Sequence, residues 1–376
     1  MTNFGDVAAI SCEHAVLELR SGRPILIQRA DKPMRAYLAL DTCTSATLET
    51  FAAVTHNAHS LYLSQTRAHV LGLNAPLGIR IPLGDANFDY AELLKFAYLR
   101  HASPPQQWEE GDQLDQAAVD LARAGLLLPA LIGAQIRPNE ENAFDGCQRI
   151  SQETVFTHAF APAHSSYQLV VKSPVPLRGL GMCEFAVFRG GIAQRDQVAI
   201  IVGKLDLNAP VPVRVHSSCL TGDLFGSLKC DCGDQLRQGL ATLHTMGGGV
   251  LVYLDQEGRG TGIAAKMRAY GYQHEGLDTI DADAQLGFGP DERRFDSAAA
   301  ILKELGIHQI VLLSNNPSKA DKLAALGIQV VSRFPVTGHV TQENEFYLRT
   351  KARRAGHDLD VDTLLANRSN DNPKTP

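Results

Sequence analysis

Three of the seven cysteines, Cys219, Cys230 and Cys232, fall inside fourteen positions of the stretch 214–235. Thiolates at that density are the ligand set of a soft or borderline cation, with zinc the first choice. A Cys-x-Cys pair in extended backbone throws both sulfurs to one side, because successive side chains alternate faces, and a third thiolate returning from a loop completes one face of a tetrahedron. Three protein ligands leave the fourth position open for a water, which is the arrangement of a catalytic zinc. His216, three residues before Cys219, could instead close a Cys3His site that does no chemistry, and buried inert thiols are a third reading. Gly222, Gly226 and Gly233 let backbone come close to a ligand. The spacing of Leu236, Leu240, Leu243 and Met246 predicts a helix over 234–246. Its N-terminus would aim amide N–H groups at the thiolates and lower their pKa.

A second candidate is the apolar strand 249–254, which runs into Asp255-Gln256-Glu257-Gly258-Arg259-Gly260-Thr261-Gly262 and then a helical stretch with Lys266, Arg268 and Tyr270. A glycine-rich turn between strand and helix suits phosphates, since free N–H groups favour an anion, although such a turn can also be no more than a tight corner. Asp291, Glu292, Arg293 and Arg294 make the most polar turn of this half, readable as a solvated helix start. The apolar strand 309–313 then delivers Ser314-Asn315-Asn316-Pro317-Ser318-Lys319.

The run 214–235 opens Arg-Val-His-Ser-Ser-Cys and closes Cys-Asp-Cys-Gly-Asp-Gln, and it closely resembles the zinc loop of GTP cyclohydrolase II, the first committed enzyme of riboflavin biosynthesis. The resemblance implies one zinc per chain on Cys219, Cys230 and Cys232, acidifying a water that attacks C8 of GTP. Formate and pyrophosphate leave, and 2,5-diamino-6-(5-phosphoribosylamino)pyrimidin-4-one remains; Mg2+ accompanies the triphosphate. Carried over residue by residue, Arg214, Val215, His216, Ser217 and Ser218 match a substrate-binding run. Gln235 and Glu257 would read the guanine edge, and Gly258 and Arg259 match further GTP contacts. Tyr270 matches a tyrosine near the metal-bound water and Thr279 a substrate-binding threonine. Asp291 is the implied general base, and Arg293 the nucleophile or, since guanidinium stays protonated in water, the clamp at the α-phosphate. Ser314 stands in for a family threonine, and Lys319 matches a phosphate-contacting lysine.

Three positions depart from the family pattern: Ser218 where Glu is usual, Asp255 where a basic residue is usual, and Thr261 where an apolar residue is common. They bear on substrate choice, and a related zinc cyclohydrolase acting on another purine or pyrimidine nucleotide is the alternative. A non-catalytic regulatory homologue would be expected to lose Asp291, Arg293, Tyr270 or a cysteine, and all are present. A structural zinc module on nucleic acid would need a fourth protein ligand and a basic face, whereas the formal charge is −6.

The elements that must carry these residues divide into two domains, as 376 residues allow. Residues 13–136 alternate helical and strand patterns: helices at 15–20, 45–55 and 65–71, strands at 24–28 and 61–63. The phrase 17–27, Leu-Glu-Leu-Arg-Ser-Gly-Arg-Pro-Ile-Leu-Ile, and the stretch 117–126 resemble 3,4-dihydroxy-2-butanone-4-phosphate synthase, which is often fused ahead of GTP cyclohydrolase II. The chemistry of that family is missing. Gln28-Arg29-Ala30-Asp31-Lys32-Pro33-Met34-Arg35 stands where its acidic metal loop should be, Gly111-Asp112-Gln113-Leu114-Asp115-Gln116 where Gly-His-Thr-Glu should be, and Gln135 at an expected glutamate. A magnesium-dependent sugar-phosphate enzyme needs those carboxylates and acid–base groups, so this domain is expected to be catalytically dead.

The fold class expected is therefore a two-domain α+β / α/β chain: an N-terminal α/β layer domain at 1–137, a polar linker at 138–167, a cyclohydrolase-like α+β domain with a mixed sheet at 168–366, and a disordered tail at 367–376. The second domain opens with strands at 168–172, 183–189, 197–203 and 211–216. With 44% hydrophobic and 20% charged residues the composition is that of a globular protein. No apolar run is long enough for a membrane and no signal pattern opens the chain, so a cytoplasmic location is expected. Cys12, Cys43, Cys147 and Cys183 read as ordinary thiols, and no disulfide framework is implied. GTP is the expected partner, with no nucleic acid and no membrane; a homodimer is expected because the family dimerises.

Overall fold

The computed structural model describes residues 6–84, 89–159, 167–190, 195–338, 340–354 and 356–368. The chain forms two compact units, one of Met1–His164 with Gly260–Glu292 and the other of Ser165–Arg259 with Arg293–Pro376. Among the described residues no helix is long and apolar enough to cross a membrane.

The sheet of the first unit contains β1 (Ile25–Arg29), β2 (Lys32–Ala39), β3 (His59–Leu63), β4 (Ile79–Pro82), β5 (Glu109–Glu110), β6 (Ala130–Gln135) and β7 (Gln148–Ser151), in the order β5-β4-β3-β6-β2-β1-β7. Its pairings are antiparallel except for β1 with β7. The apolar run Ala-Leu-Ile-Gly-Ala makes β6 a central strand buried on both faces. Gly133 within it is required by space, because a Cβ there would come 2.9 Å from the Tyr37 ring. Leu26, Leu38, Leu61, Ile79 and Ile132 form one side of the core with Phe51 and Leu93. The first helix, Val7–Arg20, begins earlier than its apolar pattern predicts because Asp6 caps it, accepting from the amides of Ala8 and Ala9.

Two boundaries differ from the sequence reading. The stretch expected as a linker is structured where it is described: β7 pairs with β1, and the helix Gln152–His158 packs against Val7–Arg20 and Gln113–Ala124. Residues 160–166 of that stretch lie outside the described residues. Gly260–Glu292, expected within the second domain, belongs to the first unit. The reason is apolar and polar together: Ala265, Ala269, Ala282, Leu286 and Phe288 bury against Leu128, and the Arg67 side chain, 1% exposed, donates to the carbonyls of Phe96, Leu99 and Gln285.

The second unit is built on β8 (Tyr167–Leu177), β9 (Gly181–Gly190), β10 (Arg195–Gly203), β11 (Val211–Ser217), β12 (Gly248–Leu254), β13 (Gln309–Leu313) and β14 (Gln329–Phe334), ordered β14-β13-β11-β12-β10-β9-β8. It is mixed: β8, β9, β10 and β12 pair antiparallel, whereas β12, β11, β13 and β14 run parallel. The parallel strands β11, β12 and β13 therefore end at one edge, the place where open sheets of this kind put their ligands. Of the expected tail, 369–376 lies outside the described residues, and the chain before it ends in the helix Val361–Arg368.

Candidate metal centre

Three loops leave the carboxyl ends of β11, β12 and β13, and the one after β11 carries all three cysteines of the cluster. Ser218, just past β11, donates its amide to Leu254 O at 2.8 Å, which pins the exit of β11 to the end of β12. The chain then makes a wide helical turn at Leu220–Leu224 that brings Asp223 back beneath Cys219. The Asp223 carboxylate accepts from the Cys219 amide at 2.9 Å and from the Tyr253 hydroxyl at 2.9 Å, and lies 3.2 Å from His216 Nε2. His216 also stacks on Tyr253, with ring centroids 5.7 Å apart. Its Nε2 is thus committed to Asp223, and the one metal-competent group among the described residues is Cys219, Cys230 and Cys232. This favours the three-thiolate reading over a closed Cys3His site.

The three sulfurs lie within 4.8 Å of one another, and Cys219 Sγ is 3.6 Å from Cys230 Sγ. A tetrahedral zinc with bonds of about 2.3 Å sets its sulfurs about 3.8 Å apart, so the donor set fits that ion. Gly222 completes the cradle: a Cβ there would come 2.9 Å from Cys230 Sγ, 3.1 Å from Cys219 Sγ and 3.1 Å from Cys232 Cβ.

Two local expectations are corrected. The Cys-x-Cys pair is not extended; Asp231 has φ −98° and ψ 13°, and Cys232 is the first residue of the helix Cys232–Thr245. The sulfurs converge because the chain turns into the helix between them. Nor does the helix N-terminus dominate at Cys230 and Cys232: the Cys232 amide lowers Cys230, but the net shift is upward. Hydrogen bonding to Cys219 pushes Cys230 up to about 11, and contacts with Cys219 and Cys230 drive Cys232 well above the thiol range. Sulfur packed on sulfur in a buried site outweighs the helix end.

The remaining candidate residues separate by unit. Arg214 is buried in β11, donating Nη1 to Leu313 O at 2.9 Å and Nη2 to Gln235 Oε1 at 2.7 Å, and burial lowers its pKa to about 10. Gln235 donates in turn to Asp231 Oδ2 at 2.5 Å, so both ends of its amide are engaged within the loop. Val215 O accepts from the buried Lys319 ammonium at 2.9 Å, which also lies over the Phe295 ring. The Ser217 and Ser218 hydroxyls are buried with no hydrogen-bond partner among the described residues. Ser314, at the end of β13, accepts from the Asn316 amide.

In the glycine-rich turn, Glu257 accepts from the amides of Leu220 at 2.6 Å and Gly258 at 2.8 Å, tying that turn to the cysteine loop. Gly258 and Arg259 both adopt left-handed backbone, φ 63° and 60°. For an arginine this is a strained conformation of the kind that collects at functional sites. Arg293 belongs to the second unit, whereas Tyr270, Thr279 and Asp291 belong to the first.

Sequence reasoning missed the residues that hold these groups in place. Gln256 forms a two-pronged clamp on Arg294, donating to its carbonyl at 2.7 Å and accepting from its amide at 2.8 Å. Gln197 on β10 accepts from the Asp255 amide. Neither they nor Asp223 and Tyr253 carry a spacing signal, since their partners are distant in the chain.

In the first unit, the stretches 28–35 and 111–116 face each other. Arg29 donates to Gln113 at 3.1 Å, and Arg35 pairs with Asp112 at 3.1 Å and Asp115 at 2.7 Å. Tyr37 donates to Asp115, which is 1% exposed.

A family model described as GTP cyclohydrolase II matches residues 168–335. The GTP cyclohydrolase-2 of Xylella fastidiosa strain 9a5c is 59% identical over 362 residues, 96% of this chain and 90% of that protein. The riboflavin biosynthesis protein RibBA of Parabacteroides distasonis is 47% identical over 164 residues, 44% of this chain and 40% of that one. Among solved structures, the two-domain 3,4-dihydroxy-2-butanone 4-phosphate synthase RibBX from A. baumannii covers 87% of this chain and 99% of its own at 16% identity, with a TM-score of 0.31.

Proposed function

Because the chain belongs to the GTP cyclohydrolase II family of riboflavin biosynthesis, we propose that it opens the imidazole ring of GTP, releasing formate and pyrophosphate and leaving 2,5-diamino-6-(5-phosphoribosylamino)pyrimidin-4-one. The observation that carries the reading is the convergence of Cys219, Cys230 and Cys232 around Gly222, at the edge where β11 and β12 end. Zinc held by those thiolates would supply Lewis acidity for attack on the ring. Asp223 fixes the Cys219 backbone and keeps His216 off the metal. Glu257 holds the glycine-rich turn against the loop. Arg214 and Lys319 bring positive charge to the carboxyl edge of the sheet from buried positions, a favourable field for a polyphosphate.

The roles of Tyr270 in water orientation, Thr279 in substrate contact, Asp291 as base and Arg293 as phosphate clamp are proposed on the family pattern. So are Mg2+ with the triphosphate and a homodimer. Incubating zinc-loaded protein with GTP and magnesium tests the reaction: formate and pyrophosphate should appear together, and both should vanish in Cys230→Ser. Turnover of a different nucleotide with GTP untouched would move the assignment to the second reading, which Ser218, a neutral residue beside Cys219, favours.

For the first unit we propose the absence of butanone phosphate synthase activity. Its two critical positions are taken up by the Arg35–Asp112 and Arg35–Asp115 pairs, which leave neither a free carboxylate for magnesium nor a group for proton transfer. Formate released from ribulose 5-phosphate would overturn this.

A further inference from the structure

The helix Glu345–Arg354 carries Lys351, a residue with no part in the chemistry derived above. Its ammonium lies 4.4 Å from the centroid of the Tyr347 ring and donates to Asp231 Oδ1 at 2.7 Å. The two side chains are 16% and 2% exposed. Asp231 is the single residue between two of the thiolate ligands, Cys230 and Cys232. Its other oxygen accepts from Gln235, which accepts from Arg214, which donates to the end of β13 at Leu313. The ammonium therefore terminates a chain of polar contacts running from the sheet, through the Cys-Asp-Cys segment, to the helix Glu345–Arg354.

Two further features single out this contact. Asp231 stands at the N-cap of the helix Cys232–Thr245 yet makes no side-chain cap bond. An N-cap aspartate ordinarily folds its carboxylate onto the amides of the first turn; here Lys351 and Gln235 hold it the other way. The segment leading to that helix also closes on the same residue: a Cβ at Gly338 would come 2.9 Å from Asp231 Cβ and 3.2 Å from its carbonyl oxygen. The backbone of Asp231 is thereby gripped from two directions, by packing at Gly338 and by charge at Lys351.

We propose that Lys351 is a positioning residue for the metal centre: by pairing with Asp231 it fixes the turn between Cys230 and Cys232 and so sets the spacing of those two ligands. The inference rests on the zinc reading above. Without the ammonium, a carboxylate that is 2% exposed is left buried and uncompensated. Its routes of relief are rotation toward water or onto the amides of the helix Cys232–Thr245. Either moves the peptide units that carry both cysteines.

The test measures zinc affinity by competition with a chromophoric chelator, and the thiolate-to-metal absorption of the cobalt-substituted protein, in the full chain. The variants are Lys351→Met, Lys351→Arg and the double variant Asp231→Asn/Lys351→Met. Lys351→Met is expected to weaken zinc binding by about 10- to 100-fold, the range for lost supporting contacts around a metal, and to shift the cobalt bands; Lys351→Arg should restore both. The double variant buries no unpaired charge and should fold, yet still bind zinc more weakly with altered bands, which a purely fold-stabilising role would not produce. A folded double variant with the affinity and cobalt spectrum of the unaltered protein overturns the proposal, whether or not Lys351→Met folds. If the unaltered protein fails to bind zinc at all, the metal reading itself falls, and this inference with it.

Discussion

Gly222→Ala adds one methyl group at the point where the cluster has no room. The new Cβ would sit 2.9 Å from Cys230 Sγ, 3.1 Å from Cys219 Sγ and 3.1 Å from Cys232 Cβ, each closer than ordinary van der Waals contact. The glycine's φ is not in the left-handed region, so the penalty is one of space rather than backbone strain. All three neighbours belong to the proposed zinc ligands. In the metal-free protein the thiols can rotate away, whereas in the metal-bound protein each sulfur is fixed by its bond. The penalty therefore falls on the bound state. Overpacking by a methyl group typically costs about 1–3 kcal/mol, and at about 1.4 kcal/mol per decade this weakens zinc binding by about 5- to 150-fold. The assay is zinc competition against a chromophoric chelator, with thermal unfolding of the metal-free protein recorded in parallel. Gly271→Ala is the control, since a Cβ there meets nothing within 4 Å. Zinc affinity in Gly222→Ala within twofold of the unaltered protein, with the fold intact, would refute the steric reasoning and the three-thiolate geometry behind it.

Asp223→Asn replaces a carboxylate that accepts from Cys219 N and Tyr253 Oη and faces His216 by an amide with one acceptor oxygen. Denaturant titration should show a loss of about 1–3 kcal/mol, the cost of leaving a buried donor unpaired, and zinc should leave faster on chelator challenge; an unchanged midpoint and release rate would contradict this. His357→Gln tests a pH effect: burial, with Lys351, Arg293 and Lys319 adding to it, lowers the His357 pKa from 6.5 to about 3. The unfolded chain then binds a proton that the folded chain refuses, so stability falls as pH drops below about 6.5, by at most about 2 kcal/mol at pH 5 relative to pH 8 before solvent screening. Melts of the zinc-saturated protein should show a shallower loss between pH 8 and pH 5 in His357→Gln, and equal slopes would reject the assignment.

What the sequence disclosed, it disclosed through local patterns. The cysteine spacing marked three thiols that the fold brings together, and the continuous apolar runs at 249–254 and 309–313 marked β12 and β13 beside them, because a buried parallel strand writes its burial into neighbouring residues. Contacts between distant residues left no such trace. Cys-x-Cys spacing alone does not distinguish an extended strand from a turn entering a helix, and a partner of that turn, Lys351, lies 120 residues beyond Asp231. β7 was hidden in a polar stretch because its reason for being a strand is β1, more than a hundred residues earlier. Ala265, Ala269 and Phe288 carried the periodicity of a buried face, but nothing in their spacing says that the face would pack on Leu128 rather than on the second sheet.

The first unit shows how such long-range pairing can close a site. Read separately, cations at Arg29 and Arg35 and carboxylates at Asp112 and Asp115 look like two independent losses of synthase chemistry. In the fold they are a single exchange. Arg35 donates to residues 77 and 80 positions away, and Asp115 takes the Tyr37 hydroxyl and the Arg35 guanidinium together. Arg80, 3.5 Å from the second oxygen of Asp115, adds a further cation to the cluster. The pairs tie β2 to the start of the helix Gln113–Ala124, and Arg29 at the end of β1 adds its bond to Gln113. The same pairing that removes the free carboxylates a divalent cation would need thus becomes part of what holds the unit folded. That coupling gives this unit a structural reason to keep its ion pairs, whatever chemistry it serves.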